Sequence, residues 1–326
     1  MSDAATRRNR RQLLGRTGRL LALAVGVLFW GWLIARWLNA WLFSGVTGIG
    51  PDEPFVSPGI FAGLAETFTS TAAMLGPFGG PVNLVGELFL YAAQTPQGLP
   101  QLAGAVWLTI VLTVLGLAFG LVIAIPLSVA RVYGGPFARG IALGYIELIR
   151  GTPLLAQLFV LHFGTGLSGF IREFPGVGQS IIPDQFVWVA IIGFTINSAA
   201  YQAEYIRSAL LSVEAGQLTA ARAVGLSQLE AIRYVVLPQG LRFAIPGWSN
   251  EFVYLIKYSS LAAFITVPEL FFTSQELATV GYQITVVYTL AALIYLALVL
   301  SASKLMGRVE AVVSIPGLGH VEGRTH

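Results

Sequence analysis

The stretch LTAARAVGLSQLEAIRYVVLPQG, residues 218–240, is a polar segment between two strongly apolar runs. Apolar and small residues recur in it every three or four positions, which predicts one helical stripe formed by Leu218, Ala221, Gly225, Leu229 and Ile232. Gly225, followed by Ser227 as an N-cap, predicts that one helix ends there and a second begins at an angle. Pro238 is expected to end the second helix.

Composition sets the environment of this segment. Of 326 residues, 55% are hydrophobic and 11% are charged, whereas a soluble domain has roughly 25% charged residues. The chain has no cysteine, which excludes disulfides, a thiolate nucleophile and a cysteine-based metal site. The sequence therefore predicts a membrane protein.

Six runs are apolar and long enough to cross a bilayer as helices, which takes about 20 residues. They lie at 20–43, 102–129, 140–163, 186–205, 243–265 and 283–303. The first run has 24 residues and exceeds the roughly 7–15 residues of a signal-peptide core, so it is interpreted as a retained membrane anchor. The prediction is an all-α polytopic membrane protein with about six transmembrane helices.

The distribution of positive charge predicts the orientation. With residues 1–19 in the cytosol, fifteen of the 19 basic residues fall on that side: Arg7, Arg8, Arg10, Arg11, Arg16, Arg19, Arg131, Arg139, Arg207, Arg222, Arg233, Arg242, Lys304, Arg308 and Arg324. Both termini and the quoted loop are therefore expected in the cytosol, with the protein in the cytoplasmic membrane. Arg36 lies among tryptophans and is expected to snorkel to the outer interface.

Four segments carry a family resemblance. LTAARAVGLSQLEAIRYVVLPQGLR resembles the EAA loop of importer-type ABC permeases, matching its pattern directly at Ala220, Ala221, Gly225, Leu237 and Pro238. Three others resemble the polar amino acid subfamily, the histidine, glutamine and glutamate type: ELIRGTPLLAQLFVLHFG (147–164), YQAEYIRSALLSVEAGQ (201–217) and NEFVYLIKYSSLAAFITVPEL (250–270). The resemblance covers about residues 103–303 and implies a type I ABC importer-like transmembrane domain with a cytosolic coupling helix.

This resemblance implies a permease subunit that forms the translocation path of an ATP-driven amino acid importer. Its implied partners are a cytosolic ABC ATPase dimer, an external solute-binding protein, and a second permease copy or a related permease. The implied ATPase-coupling residues are Thr219, Ala220, Ala221, Gly225, Leu237 and Pro238. The chain departs from the family at Thr219, where an acidic residue is usual, and at Tyr258, where Asp is usual.

The chain is then organised in five parts. A basic cytosolic tail (1–19) precedes an extra first transmembrane helix (20–43) and an external Gly/Pro-rich segment of short helices and loops (44–101). A five-helix permease core follows at 102–303 and contains the coupling loop, defined as residues 212–240. A second cytosolic tail occupies 304–326.

Polar residues in apolar runs are candidates for a solvated substrate path, because a mid-bilayer charge costs about 3 kcal/mol on insertion scales. The candidates are Arg150, Asn250, Glu251, Lys257, Ser259 and Ser260. Hydrogen bonding between helices is the alternative explanation for them. Two i,i+3 pairs, Glu147–Arg150 and Glu204–Arg207, are expected to neutralise each other. The RGTP step at 150–153 is expected to break the third helix.

No GxxxxGK[ST] loop occurs, so ATP is expected to be used by the partner subunit, with no catalytic residue, metal or cofactor in this chain. The RRNRR segment beside a membrane helix indicates topology or contact with membrane lipid rather than nucleic acid. The alternative function is a self-sufficient secondary transporter or channel for small polar solutes. That class commonly shows paired, interrupted helices in two related halves, which the sequence does not display.

Overall fold

A computed structural model describes residues 18, 20, 23–179, 182–281 and 283–313, so the predictions for the outermost tails lie outside the described residues. All regular structure in the described residues is helical. The helices are α1 (Leu23–Thr47), α2 (Pro58–Met74), α3 (Gly80–Gln94), α4 (Gly98–Tyr133), α5 (Pro136–Arg150), α6 (Leu154–Gly164), α7 (Leu167–Arg172), α8 (Gln185–Ser212), α9 (Ala215–Ala223), α10 (Gln228–Ile265), α11 (Leu270–Gly281) and α12 (Ile284–Val313).

Within the described residues, four helices are long and apolar enough to cross a membrane: α1, α4, α8 and α12. Two further pairs are bent, α5 with α6 by 101° and α10 with α11 by 55°. Counting each bent pair as one crossing gives the six spans that the hydropathy predicts.

The break between α5 and α6 lies at the RGTP step, as predicted. Pro153 cannot continue the helix because it lacks an N–H group and constrains the residue before it. The Gln157 side chain crosses the break and donates to the Ile149 carbonyl at 2.7 Å and to Thr152 Oγ1 at 2.9 Å. Polar atoms freed by the break are therefore satisfied within the chain.

The chain divides into two compact units, the second of which comprises Leu108–Phe272 and Leu298–His326. Helix α8 is central to its core, where Phe194 is 1% exposed and Ile191 is 2% exposed. Small residues allow close contacts with α8: a methyl group placed on Gly116 would lie 2.8 Å from Phe194 Cβ, and one on Gly247 would lie 2.7 Å from Tyr205 Cγ. Close approach at small residues is typical of helix contacts in membranes.

The first unit comprises Met1–Trp107 and Thr273–Ala297. Helices α2 and α3 form an antiparallel hairpin joined by a short turn at Gly76–Phe78. Tyr91 of α3 is buried in a cluster with Ala278 and Val287. The expected short helices between 44 and 101 are present.

Arg36 is buried, and the expectation that it snorkels to the interface is wrong. It is 2% exposed and donates to the carbonyls of Gly50, Pro51 and Glu53. Its guanidinium also lies 5.0 Å from the centroid of the Phe55 ring. The loop after α1 folds back along the helix and supplies the acceptors, so this cation fastens the loop to α1.

Candidate functional site: coupling loop and polar path

The coupling loop contains the predicted bend. Helix α9 ends at Ala223, and Gly225 adopts φ +96°, which favours glycine. No atom lies within 4 Å of a Cβ built on Gly225, so its backbone conformation, and not crowding, requires glycine. The predicted helix end is confirmed.

Ser227 is the N-cap of α10, also as predicted. Its backbone N–H and hydroxyl donate to Glu230 Oε2 at 2.9 and 2.6 Å, and the Glu230 N–H donates back to Ser227 Oγ at 3.4 Å. These reciprocal bonds form a capping box. They hold the pKa of Glu230 below its ordinary value, which keeps its carboxylate ionised at the start of α10.

Two details of the sequence interpretation are wrong. Pro238 does not end a helix, because α10 runs continuously from Gln228 to Ile265. A π-helical turn at Ile232–Val236 precedes the proline and changes the hydrogen-bond register, so the ring is accommodated. Gln239 Nε2 donates to the Val235 carbonyl at 2.8 Å beside this turn.

The single apolar stripe is the second error. Ala221 and Ile232 are buried, but Leu229 is 71% exposed. The positive φ of Gly225 changes the chain direction, so the helical period does not continue from α9 into α10.

The outer surface of the coupling loop is exposed at the bend, where Arg222 and Glu230 are its charged residues. Thr219, Ala220 and Gly225 are exposed, and Val224 is 81% exposed. A groove of about 640 Å³ lies against this bend. The other predicted coupling residues differ in burial: Ala221 is buried, Leu237 half-buried and Pro238 exposed.

A second cavity, of about 440 Å³, lies at the α5–α6 break. Arg150, Asn197, Tyr201 and Tyr258 are among its lining residues. The Arg150 guanidinium lies 5.4 Å from the centroid of the Tyr201 ring, a cation–π distance. Among the described residues no ion pair joins Arg150 to Glu147, so the predicted pairing is wrong; the aromatic ring of α8 provides the contact instead.

One face of α10 is exposed along most of its length. Every fourth residue belongs to this path face, which is defined by Pro238, Arg242, Pro246, Asn250, Tyr254 and Tyr258. Lys257 is also exposed, and its Nζ lies 4.5 Å from the centroid of the Tyr254 ring. Ser260 is partly exposed and donates to the Lys257 carbonyl at 2.9 Å.

Two predicted path residues lie on the buried side of the same helix, so the expectation that they are solvated is wrong. Ser259 is 0% exposed and donates to the Ile256 carbonyl at 2.8 Å. Glu251 is 4% exposed and is hydrogen-bonded to Ser198 of α8. Gln202 Nε2 extends this network, donating to Ser198 Oγ and to the Leu117 carbonyl, each at 2.9 Å.

The predicted pair Glu204–Arg207 is confirmed, with Arg207 Nε 3.0 Å from Glu204 Oε2. Arg131 Nη2 adds a contact of 3.9 Å to the same carboxylate. Within the described ranges, no group of three or more His, Asp or Glu side chains is placed to hold a metal ion. The polar contacts described above are ion pairs and hydrogen bonds, some within one helix and others between helices.

Three residues of the cavity region were missed: Tyr201, Asn197 and Gln157. Asn197 is buried and donates from Nδ2 to Gln157 Oε1 at 3.0 Å, so the break in α5–α6 is fastened to α8. A signal for Asn197 and Gln157 was present in the sequence, since each interrupts an apolar run with an amide group.

Comparison with known proteins decides the family. The model of the family described as binding-protein-dependent transport system inner membrane component matches residues 116–314. The chain belongs to this family. The matched range includes the coupling loop, the cavity at the α5–α6 break and the whole of α10.

Relatives agree with this assignment. The glutamine transport system permease protein GlnP of Escherichia coli (strain K12) is 36% identical over 217 residues, covering 67% of this chain and 94% of the relative. The probable amino-acid ABC transporter permease protein YckA of Bacillus subtilis (strain 168) is 39% identical over 202 residues, covering 62% and 84%. The nopaline transport system permease protein NocM of Agrobacterium fabrum is 33% identical over 210 residues, covering 64% and 86%.

Solved structures share the fold. An amino acid ABC transporter crystallised with histidines matches with a TM-score of 0.57 at 29% identity, covering 67% of this chain and 97% of that chain. The MetNI methionine ABC transporter in an inward-facing conformation matches with a TM-score of 0.56 at 22% identity, covering 66% and 97%. The predicted all-α, type I importer-like transmembrane fold is confirmed, and the chain is a multi-pass membrane permease subunit.

Proposed function

We propose that this permease subunit conducts amino acids and is driven by a separate ATPase. The names of the relatives support an amino acid substrate. The observation that carries the mechanism is the continuity of α10. It begins at the capped bend of the coupling loop and extends past Asn250 on the path face and past the exposed Lys257. A displacement applied at one end of a rigid helix therefore reaches the other end.

The ATPase docks against the bend of the coupling loop. The exposed positions Thr219, Ala220 and Gly225 form the contact, with Val224 presenting an apolar side chain to the partner. The buried Ala221 supports α9 from inside, and Leu237 and Pro238 belong to the start of the long helix that transmits the motion. Thr219 gives this contact a neutral side chain where the family usually has an acid, beside the exposed Arg222.

The substrate path follows the cavity at the α5–α6 break and the path face of α10. Arg150 supplies positive charge beside Tyr201, while Asn250, Lys257 and Ser260 present polar groups along α10. An amino acid carries a carboxylate, which a guanidinium binds with paired hydrogen bonds. Glu251, which is buried against Ser198 of α8, holds α10 in its orientation. Ser259 is also buried, but its hydroxyl is bonded to its own helix.

Family membership supports the rest of the assembly that we propose. The permease works with an ATPase dimer that binds and hydrolyses ATP, an external solute-binding protein, and a second copy or a related permease. This chain holds no cofactor and hydrolyses no ATP. Both termini and residues 304–326 are cytosolic, residues 44–101 belong to the external side, and the core spans 102–303.

Reconstitution tests this proposal against the secondary-transporter alternative. The chain is placed in proteoliposomes with its ATPase and binding protein, and uptake of labelled amino acids is measured with and without ATP. Uptake should require ATP, the ATPase and the binding protein together. Uptake by the chain alone, driven by an ion gradient, would refute the proposal.

A further inference from the structure

The α2–α3 hairpin, residues 58–94, has no role in the path or in the coupling loop. Its two arms are fixed in register, because a Cβ on Gly86 would lie 2.7 Å from Thr69 Cγ2 and 3.4 Å from the Ala65 carbonyl oxygen. The Phe68 and Phe89 rings stack at 5.5 Å between centroids. This register places Glu66 on one arm and Glu87 on the other at about the same distance from the turn of the hairpin.

The distal half of the hairpin, residues 67–86, contains no charged residue, and no Lys or Arg occurs from 37 to 130. Each arm of the distal half has about ten residues, or ~15 Å at the rise of an α-helix. One leaflet of the bilayer hydrocarbon is also about 15 Å thick, half of the ~30 Å core. The uncharged half therefore has the length of a single leaflet.

Large apolar side chains project from the outer face of this hairpin. Ile60, Leu64, Met74 and Phe78 are 58%, 38%, 87% and 85% exposed. Along α2, Ile60, Leu64 and Met74 form one stripe with the exposed Thr67 and Thr71 between them, and Phe78 lies in the turn after Gly76, whose φ is +54°. The side chains of Met74 and Phe78 are almost fully exposed beside the turn. Exposed apolar side chains of this size are typical of an interaction surface.

The side-chain polar groups of the distal half are hydrogen-bonded inside the hairpin. The four hydroxyls of α2 donate to backbone carbonyls at 2.7–3.0 Å, from Thr67, Thr69, Ser70 and Thr71. Asn83 Nδ2 donates to Glu87 Oε1 at 2.8 Å. In the turn, the Phe78 and Gly79 amides are bonded, and Pro77 and Pro81 have no amide hydrogen. Side-chain polar groups that are already hydrogen-bonded suit hydrocarbon, because no water is available there.

We propose that the α2–α3 hairpin is re-entrant: it enters the hydrocarbon of one leaflet from the side of the loop at residues 48–57, turns at Gly76–Phe78 and leaves by the same side. Its partner is the acyl chains of lipid. Glu66 and Glu87 then lie at the headgroup boundary and limit the depth of insertion. The proposal needs only a membrane-spanning permease and is independent of its substrate and ATPase.

Single cysteines in the cysteine-free chain test this. Phe78→Cys and Met74→Cys probe the distal half, and Ser57→Cys, which is exposed at the start of α2, is the control. Each full-length variant is reconstituted in lipid nanodiscs, and reaction with a charged maleimide and spin-label accessibility to oxygen and to a nickel chelate are measured. Positions 74 and 78 should react at least about tenfold more slowly than 57 and favour oxygen over the chelate, as hydrocarbon excludes charged reagents.

Rapid labelling at 74 and 78, equal to that at 57, would overturn the proposal. Slow labelling that appears only when the solute-binding protein is added would also overturn it, in favour of a protein partner. Disulfide-linked dimers through Phe78→Cys in the membrane would assign the stripe to a second copy. Detergent-solubilised protein provides a further check: the same positions should contact a detergent-soluble quencher but not a charged one.

Discussion

The Arg150 guanidinium lies 5.4 Å from the centroid of the Tyr201 ring, across the break that ends α5. The ring holds the cation at the edge of a cavity and away from Glu147, its neighbour on the same helix. A cation stacked on an aromatic face keeps its N–H groups free for a ligand carboxylate.

Replacement of this cation should impair transport without impairing folding. Arg150→Gln is expected to lower ATP-dependent uptake about tenfold, the equivalent of ~1.4 kcal/mol for one lost charged hydrogen bond. Glu147→Gln, exposed on the same helix, is the matched control and should leave uptake unchanged. Normal uptake in Arg150→Gln, with complex yield intact, would remove Arg150 from the path.

Two neighbouring residues of α10 should respond differently because they lie on opposite sides of the helix. Lys257→Ala removes an exposed cation and should lower uptake several-fold with normal assembly. Ser259→Ala removes a fully buried hydroxyl bonded to its own helix and should leave uptake nearly unchanged. Initial rates of uptake in matched proteoliposomes measure both. An equal loss in the two variants would contradict the assignment of the path face.

The coupling bend should tolerate neither strain nor charge. Gly225→Asp places a side chain at φ +96° and a carboxylate against the ATPase. Loss of the ATPase on purification, or about a tenfold loss of stimulated ATP hydrolysis, is expected because an unpaired charge is costly to desolvate. Gly225→Ala tests strain alone, and Gly216→Asp tests charge alone at an open position of α9. Retention of the ATPase and normal stimulation in Gly225→Asp would mean that the loop lies only on lipid.

Close packing of α4 on α8 predicts a stability effect. Gly116→Val would place methyl groups within the space of Phe194 and is expected to cost about 1–3 kcal/mol. Gly104→Val on the same helix meets no atom within 4 Å and serves as control. Heating followed by size-exclusion chromatography should give a lower melting temperature for Gly116→Val. Equal melting temperatures would show that the helices separate enough to admit the larger side chain.

The orientation can be tested with impermeant thiol reagents. Glu173→Cys and Gln228→Cys both introduce exposed thiols into a chain without cysteine. Glu173→Cys should label in intact cells, whereas Gln228→Cys should label only after permeabilisation. The opposite pattern would place the coupling loop outside and refute the predicted topology.

Features with a local cause were predictable from the sequence. The RGTP break follows from the restrictions of proline, and the N-cap at Ser227 follows from its hydroxyl and from Glu230 three residues later. The membrane spans were also predictable, because a long apolar run in a membrane forms a helix whose backbone hydrogen bonds lie within the run itself.

Features with a tertiary cause were not predictable. Arg36 is buried because a later loop returns to α1, and Ser259 is buried because of the rotation of α10. Helix α10 passes through Pro238 by means of a π-helical turn, which has no sequence signature comparable to that of proline. Tyr201 became a candidate only when α8 brought it beside Arg150.

The π-helical turn at Ile232–Val236 also affects how the later side chains of α10 are rotated about the helix axis relative to the bend at Gly225. Such a turn corresponds to one residue inserted into an α-helix, and each residue of an α-helix turns the chain by about 100°. The direction in which Asn250 and Lys257 project is therefore tied to the direction in which the bend at Gly225 projects. Because the wider turn absorbs the extra residue, deletion of a single residue within 232–236 would restore a regular α-helix and leave the later side chains of α10 near their present directions. Deletion of one residue from the regular helix after Val236 would instead rotate every later side chain by about 100° and direct the polar residues of α10 into neighbouring helices.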